Sequence, residues 1–314
     1  MIVTAPSLSK VICVLSGGVG AARLLQALSG VIEPRELRAV VNVGDDLVLH
    51  GLTICPDLDT IAYTLSGRHN DVLGWGLKDE SWRVMDELDA LGGEAWFRLG
   101  DRDLATHLYR SQRLGEGATK TIVTAELCAK FGVDVALLPV SDDPLATVFD
   151  TELGTLSFQE YFVRHRHDVV VHGVKVEGAA SARVSAGARD ALTTAARVVI
   201  APSNPLISID PILQVGDVRS LVRGRRDDVV AVSPIIAGAA VKGPADRLLG
   251  ELGYAVSCVG VADFYGDMVG TWIIDEHDAE HADTLRERGH RVIVTTTLMH
   301  ETANAHRLAR AVLS

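Results

Sequence analysis

The chain has 314 residues, of which 47% are hydrophobic and 23% charged, and it carries a formal net charge of −11. That length and balance suit a globular α/β protein with a sizeable core, either one large domain or one domain carrying an insertion. The acidity argues against a nucleic-acid polymer or an anionic membrane as partner, while leaving room for a local basic patch that holds a small anion.

The first predicted strand is "VICVL" (11–15), a short β-rich apolar run. A glycine-rich turn, "LSGGVGAAR", follows and opens a helix whose leucines recur at helical spacing up to Gly30. "LRAVVNV" (37–43) reads as the second strand. From about residue 57 to 131, four segments show helical spacing and end at or near glycine: "DLDTIAYTLSG", "ESWRVMDELDALGG", "RDLATHLYRSQRLG" and "ATKTIVTAELCAKFG". "VDVALLPV" returns to strand, and "ATVFDTELGTLSF" predicts a hairpin with Gly154 in its turn. Further strands are expected at "DVVVHG", "ARVVIAPS", "DVVAVSPI" and "HRVIVTT", with a last helix from near His300. This alternation predicts an α/β fold: a doubly wound, mostly parallel sheet (1–60 and 132–314) with a mainly helical insertion (61–131).

The opening segment "MIVTAPSLSK" lacks the basic start and long apolar middle of a signal peptide, and no apolar run reaches membrane-spanning length. Cys13, Cys55, Cys128 and Cys258 form no C-x-x-C pair, so neither a zinc site nor a disulfide framework is expected. A cytoplasmic protein with reduced thiols is the expectation.

The turn from Ser16 through Gly17, Gly18 and Gly20 is a candidate phosphate cradle, because glycine lets backbone approach a phosphate and a helix N-terminus offers free N–H groups. It is a poor nicotinamide site: Arg23 stands where the third glycine of G-x-G-x-x-G belongs, and Asn42 ends the second strand where a ribose-binding acid is usual. Arg23 opposes the helix dipole, yet its planar fork suits phosphate oxygens. Asp45, Asp46, Asp57 and Asp59 crowd one short stretch, "VVNVGDDLVLHGLTICPDLDT". Asp57 alone could cap a helix, but capping does not account for the other three. Carboxylates at the carboxyl edge of a sheet suit a hard cation such as Mg2+ with phosphate oxygens. Ser203 and Asn204 in "APSNPLIS", and Ser233 in "VSPIIAG", follow predicted strands at that same edge. His50 is read as a base or a polar loop residue. The later histidines 277, 281, 290, 300 and 306 are read as surface residues. Asp101, Asp103 and His107 fit the start of a salt-bridged surface helix. Trp75, Trp82 and Trp96 fit a core cluster or, less simply, a wall for a flat ring.

Seven segments together, "SGGVGAAR", the aspartate stretch, "GWGLKDESW", "RLGDRDLATHLYRSQRL", "LLPVSDDP", "APSNPLISIDPIL" and "VSPIIAGAAVKGPA", resemble the 2-phospho-L-lactate transferase family, whose actinobacterial branch is also called phosphoenolpyruvate transferase. The resemblance runs in order from about Val11 to the C-terminus. It implies a Rossmann-like sheet with a helical insert, a homodimer, and a role in making the deazaflavin coenzyme F(420). It also implies a magnesium-dependent transfer of 2-phospholactate or enolpyruvyl phosphate from a guanosine-diphosphate-linked donor to the terminal ribityl hydroxyl of the deazaflavin FO, releasing GMP. Under it the metal falls to Asp45 and Asp59, helped by Asp46 or Asp57. Asp59 and Arg98 become acceptor contacts, and Arg102 a candidate for the diphosphate. The alternatives are a non-catalytic nucleotide-sugar-binding regulator of the gluconeogenesis-factor type and a nicotinamide oxidoreductase. The "PDLDT" and "GDRDLATH" segments argue against the first, and the incomplete glycine pattern against the second.

Overall fold

The computed structural model describes residues 10–314, so the leader segment read above lies almost wholly outside the described residues. β1 (Ile12–Ser16) passes straight into α1 (Gly18–Ser29), which Gly30 ends. β2 (Leu37–Val41) is followed by a small hairpin, β3 (Leu47–Leu49) and β4 (Leu52–Ile54), and then by α2 (Pro56–Leu65). Next come α3 (Arg83–Ala90), α4 (Asp101–Gly115), α5 (Lys120–Phe131) and β5 (Ala136–Pro139). β6 (Ala146–Thr151), β7 (Gly154–Ser157) and β8 (Val171–Glu177) precede α6 (Ala186–Thr194) and β9 (Arg197–Ile200). After these lie α7 (Asp210–Leu213), α8 (Val218–Arg223), β10 (Val229–Val232), and the two-residue strands β11 (Ile235–Ile236) and β12 (Ala239–Ala240). The chain closes with α9 (Ala245–Glu251), α10 (Cys258–Tyr265), β13 (Thr271–Ile274), α11 (Ala282–Glu287), β14 (Arg291–Val294) and α12 (Thr302–Leu313).

Among the described residues, seven strands pair in parallel in the order β14-β13-β10-β9-β1-β2-β5. β1 and β10 are buried along their whole length, as strands covered by helices on both faces must be. The order is that of a Rossmann-like, doubly wound sheet. From β1 the chain moves outward to β2 and β5, then returns to β9 and runs the other way. The switch point therefore lies between β1 and β9, and the crevice at their carboxyl ends is where such a sheet binds ligands.

Two features depart from the expected strands. "DVVVHG" contributes β8, but β8 pairs antiparallel with β6 in a separate three-stranded sheet, β7-β6-β8. Of its residues only Val171 is buried, while His172, Lys175 and Glu177 are exposed, which marks an antiparallel strand open to solvent and not a parallel central one. β13, with "TWII", is a fully buried central strand absent from the expectation. The hairpin with Gly154 forms as expected, its glycine at φ +97.

α2 begins before residue 61, and its Leu58, Ile61 and Ala62 are buried in the main core beneath α1. A second small core of Leu49, Ile54, Met85 and Leu99 lies under the β3–β4 hairpin and α3. No helix among the described residues is long and apolar enough to cross a membrane.

Candidate active site

A cleft of about 930 Å³ opens where the switch point predicts it. Its lining takes Gly17, Gly18 and Gly20 after β1, Asp45 after β2, Ser203 and Asn204 after β9, and Ser233 after β10. Stretches of the helical region complete it, including Trp75, Trp96, Phe97 and Arg98.

The two loops at the switch point are pressed together. The Ser203 hydroxyl donates to the Gly17 carbonyl at 2.7 Å. A Cβ on Gly20 would sit 2.3 Å from the Pro202 carbonyl oxygen, so Gly20 is required for packing whatever the turn binds. Gly18 has φ +65, a conformation natural to glycine, and its N–H donates to Asp57 Oδ1 at 2.8 Å. Ser16 does not reach the cleft: its hydroxyl donates to the Val14 carbonyl within its own strand, at 3.0 Å. Arg23 lines the cleft with no hydrogen bond or ion pair to any described residue, and Lys242 lines it too. Burial lowers the Lys242 ammonium, and Arg23 lowers it further, so two cations face the same space.

The four aspartates separate into four roles. Asp46 forms an ion pair with Lys120 at the start of α5 and is not part of the cleft lining, so the expectation that it helps hold a metal is not met. Asp57 is buried and spans from the Gly18 N–H to the Asn42 side-chain amide, which donates to its Oδ2 at 3.0 Å. Burial raises its carboxyl to about 6, against the pull of those two donors. Asp45 is buried, and its Oδ1 has no hydrogen-bond partner among the described residues. Burial first, and then the charge of Asp57, push its carboxyl well above the usual range. Asp59 is held through Oδ1 by Arg110, while its Oδ2 is buried and unpartnered. The four do not converge on one point. Here the ligand-type atoms lying within 4.8 Å of one another belong to Asp59, Asp103 and His107.

Other expected residues fall as follows. Arg98 lines the cleft, reaching Asp86 at 2.8 Å and stacking its guanidinium 5.4 Å from the Trp82 ring centroid. Arg102 does not line it: its guanidinium donates to the Lys78 carbonyl at 2.6 Å, so it is spent on the local loop. Asn204 Oδ1 accepts from the Leu206 N–H at 3.0 Å, and its side-chain nitrogen is left without a partner, on a residue of the cleft wall. Ser233 donates to the Ile235 carbonyl at 2.9 Å and shapes the loop after β10. His50 is exposed in the β3–β4 turn at φ 52, outside the lining, so it is a turn residue and no base for this site. His300, expected at the surface, belongs to the lining.

On α4, Asp103 and His107, expected on a surface helix, are buried, and sequence reasoning passed over Thr106 and Arg110. Asp103, Thr106, His107 and Arg110 are its buried positions, spaced i, i+3, i+4 and i+7, which are the places an amphipathic helix gives to apolar side chains. Leu108, on the same helix, is exposed. A polar stripe at core spacing was visible in "DLATHLYR" and was the signal that could have found them.

Comparison with known proteins gives the family. The family model described as "2-phospho-L-lactate transferase CofD" matches residues 12–311. A phosphoenolpyruvate transferase of Streptomyces griseus is 39% identical over 308 residues, covering 96% of this chain and 97% of that one. A 2-phospho-L-lactate transferase of Methanosarcina acetivorans is 37% identical over 300 residues, with 96% and 97% covered. A solved structure of a UPF0052-family protein from Bacillus halodurans superposes with a TM-score of 0.65 at 16% identity, covering 98% of this chain and 99% of that one, a likeness of fold. With a match of that extent and relatives of that identity, the chain belongs to the 2-phospho-L-lactate transferase CofD family.

Proposed function

We propose that the protein moves a 2-phospholactyl or enolpyruvyl-phosphate group from a guanosine-diphosphate-linked donor to the terminal ribityl hydroxyl of the deazaflavin FO, releasing GMP. The product is the precursor F(420)-0 or its dehydro form. The observation that carries this reading is one cleft lined by three kinds of chemistry: unpaired Arg23 beside the α1 N-terminus, carboxylates with unpartnered oxygens, and aromatic side chains. Transfer of a substituted phosphate asks the protein mainly for positioning and charge stabilisation.

Arg23, with Lys242 and the N-terminus of α1, suits the donor phosphates. Trp75, Trp96 and Phe97 offer flat apolar surface for the deazaflavin, with Arg98 close by. Asp45 and Asp59 each carry a buried carboxylate oxygen without a partner, a hard donor set that fits Mg2+ together with phosphate oxygens and water. When bound there, the ion supplies neutralisation of charge on the diphosphate. A cleft carboxylate that the ion leaves free takes the proton of the attacking hydroxyl.

The test is mass spectrometry of the products formed from FO with each guanylated donor in turn, with Mg2+ present and then chelated. One donor is expected to yield the phosphodiester and GMP, and chelation to stop turnover. Absence of product with both donors would defeat the reading.

A further inference from the structure

In the floor of the cleft, lined there by Tyr63, Asp103 and His107, runs a chain of buried polar groups that the proposed reaction does not yet use. The Tyr63 hydroxyl donates to Asp103 Oδ1 at 2.7 Å. His107 Nε2 lies 3.3 Å from that same oxygen. On its other side, Arg110 Nη1 lies 3.1 Å from His107 Nδ1. A guanidinium only donates, so Nδ1 is the acceptor, and the ring carries its proton on Nε2, facing Asp103. Arg110 then donates through Nη2 to Asp59 Oδ1 and through Nη1 to the Thr53 carbonyl at 3.3 Å.

His107 and Arg110 are almost wholly buried, at 1% and 2% exposure, and Asp59 and Asp103 at 6% and 8%. Burying four ionisable side chains is expensive for a fold, and well-packed apolar side chains would commonly serve stability as well or better. The arrangement is explained by what it leaves open. The Tyr63 hydroxyl and the Arg110 guanidinium are used up against inner acceptors, while His107 Nε2 and Asp59 Oδ2 are left without a hydrogen-bond partner, on residues that line the cleft.

We infer that Asp103, His107 and Arg110 are positioning residues that fix the rotamer of Asp59 in the cleft wall, on which acceptor binding depends. This rests on the reading of the cleft as an FO site. His107 acts as a rigid strut between a carboxylate and a guanidinium, and Arg110 acts through Asp59. Arg110 does not line the cleft and reaches the acceptor only through Asp59, whereas Asp103 and His107 lie in the cleft floor behind that carboxylate.

The test is a double-mutant cycle read by calorimetric titration with FO, with GDP titration and thermal melting alongside. Arg110→Met and His107→Leu should each weaken FO about tenfold, the size of one ordinary hydrogen bond. GDP affinity should be unchanged. His107→Gln, which keeps an amide donor and acceptor, should recover part of the loss. In an Asp59→Ala background, Arg110→Met should cause no further loss, because its effect passes through the missing carboxylate. Additive losses, or equal losses for FO and GDP, would overturn the positioning role. If wild type binds FO and the single variants bind it equally well, that role alone falls. If wild type binds GDP but no FO, the acceptor reading itself falls, and the inference with it.

Discussion

Asp45 and Asp46 are neighbours with opposite fates, and the difference is a partner and not an intrinsic property. Asp46 has Lys120, whereas Asp45, which lines the cleft, has a buried oxygen without a partner. Asp46→Ala should therefore destabilise by on the order of 3 kcal/mol, by stranding a largely buried ammonium, while the affinity for GDP stays near wild type. Asp45→Ala should abolish transfer and leave the melting temperature unchanged or higher, since it relieves repulsion with Asp57. Urea unfolding and turnover, measured on both variants, check the pair; loss of stability in the Asp45 variant would count against its place in the cleft chemistry. The glycines divide in the same way. Gly20→Ala places a methyl against the Pro202 carbonyl and should cost about 1–3 kcal/mol through overpacking alone. At Gly18, space is open beyond Asp57, and the penalty is the left-handed backbone at φ +65, about 1–2 kcal/mol. Comparison of unfolding free energy with GDP affinity separates packing from phosphate approach at each position.

At the scale of elements, α4 is the piece that joins the cleft to the rest of the helical region. Its Arg113 donates to Glu126 on α5 at 2.8 and 3.0 Å, and Tyr109 adds a third bond to the same carboxylate at 2.9 Å. Those hydrogen bonds, Arg113 foremost, lower Glu126 from 4.5 to about 2. Because the folded value lies below the unfolded one, the stabilisation is complete above about pH 4.5 and is lost as pH falls toward 2. Glu126→Gln should lower the melting temperature at neutral pH, and the gap from wild type should close on acidification through that window. A gap independent of pH would mean that the side chain matters for packing and not for charge. Element type was legible wherever a segment was long and periodic, as in α1, α4 and α5. The three-residue strands β3 and β4 are too short to carry a pattern. In β8, the alternation of "VHGVKVE" pointed to a half-buried strand, and reading only its apolar start hid the fact that it pairs with β6.

For the whole molecule, a net charge of −11 surrounds a cleft in which Arg23 and Lys242 face the same space. An anionic donor must approach against the overall field and bind at a local exception to it. Arg23→Ala should weaken GDP by about tenfold to a hundredfold, and the loss should shrink as ionic strength rises and the Debye length shortens. Calorimetric titration of GDP at low and high salt tests this; a loss independent of salt would mean that Arg23 serves packing. Sequence by itself determined the family, the strand–turn–helix opening and the doubly wound sheet. Each of these is written in local periodicity, or in motifs long enough to be specific. It also brought the short stretch of four aspartates into view. Only the tertiary structure decided what each one does, because their partners come from distant segments: Lys120 is 74 positions from Asp46, Arg110 is 51 from Asp59, and Gly18 is 39 from Asp57. The same reason kept the α4 stripe hidden. Buried polar residues at core spacing make sense only once a facing carboxylate is known, and that carboxylate lies on another helix.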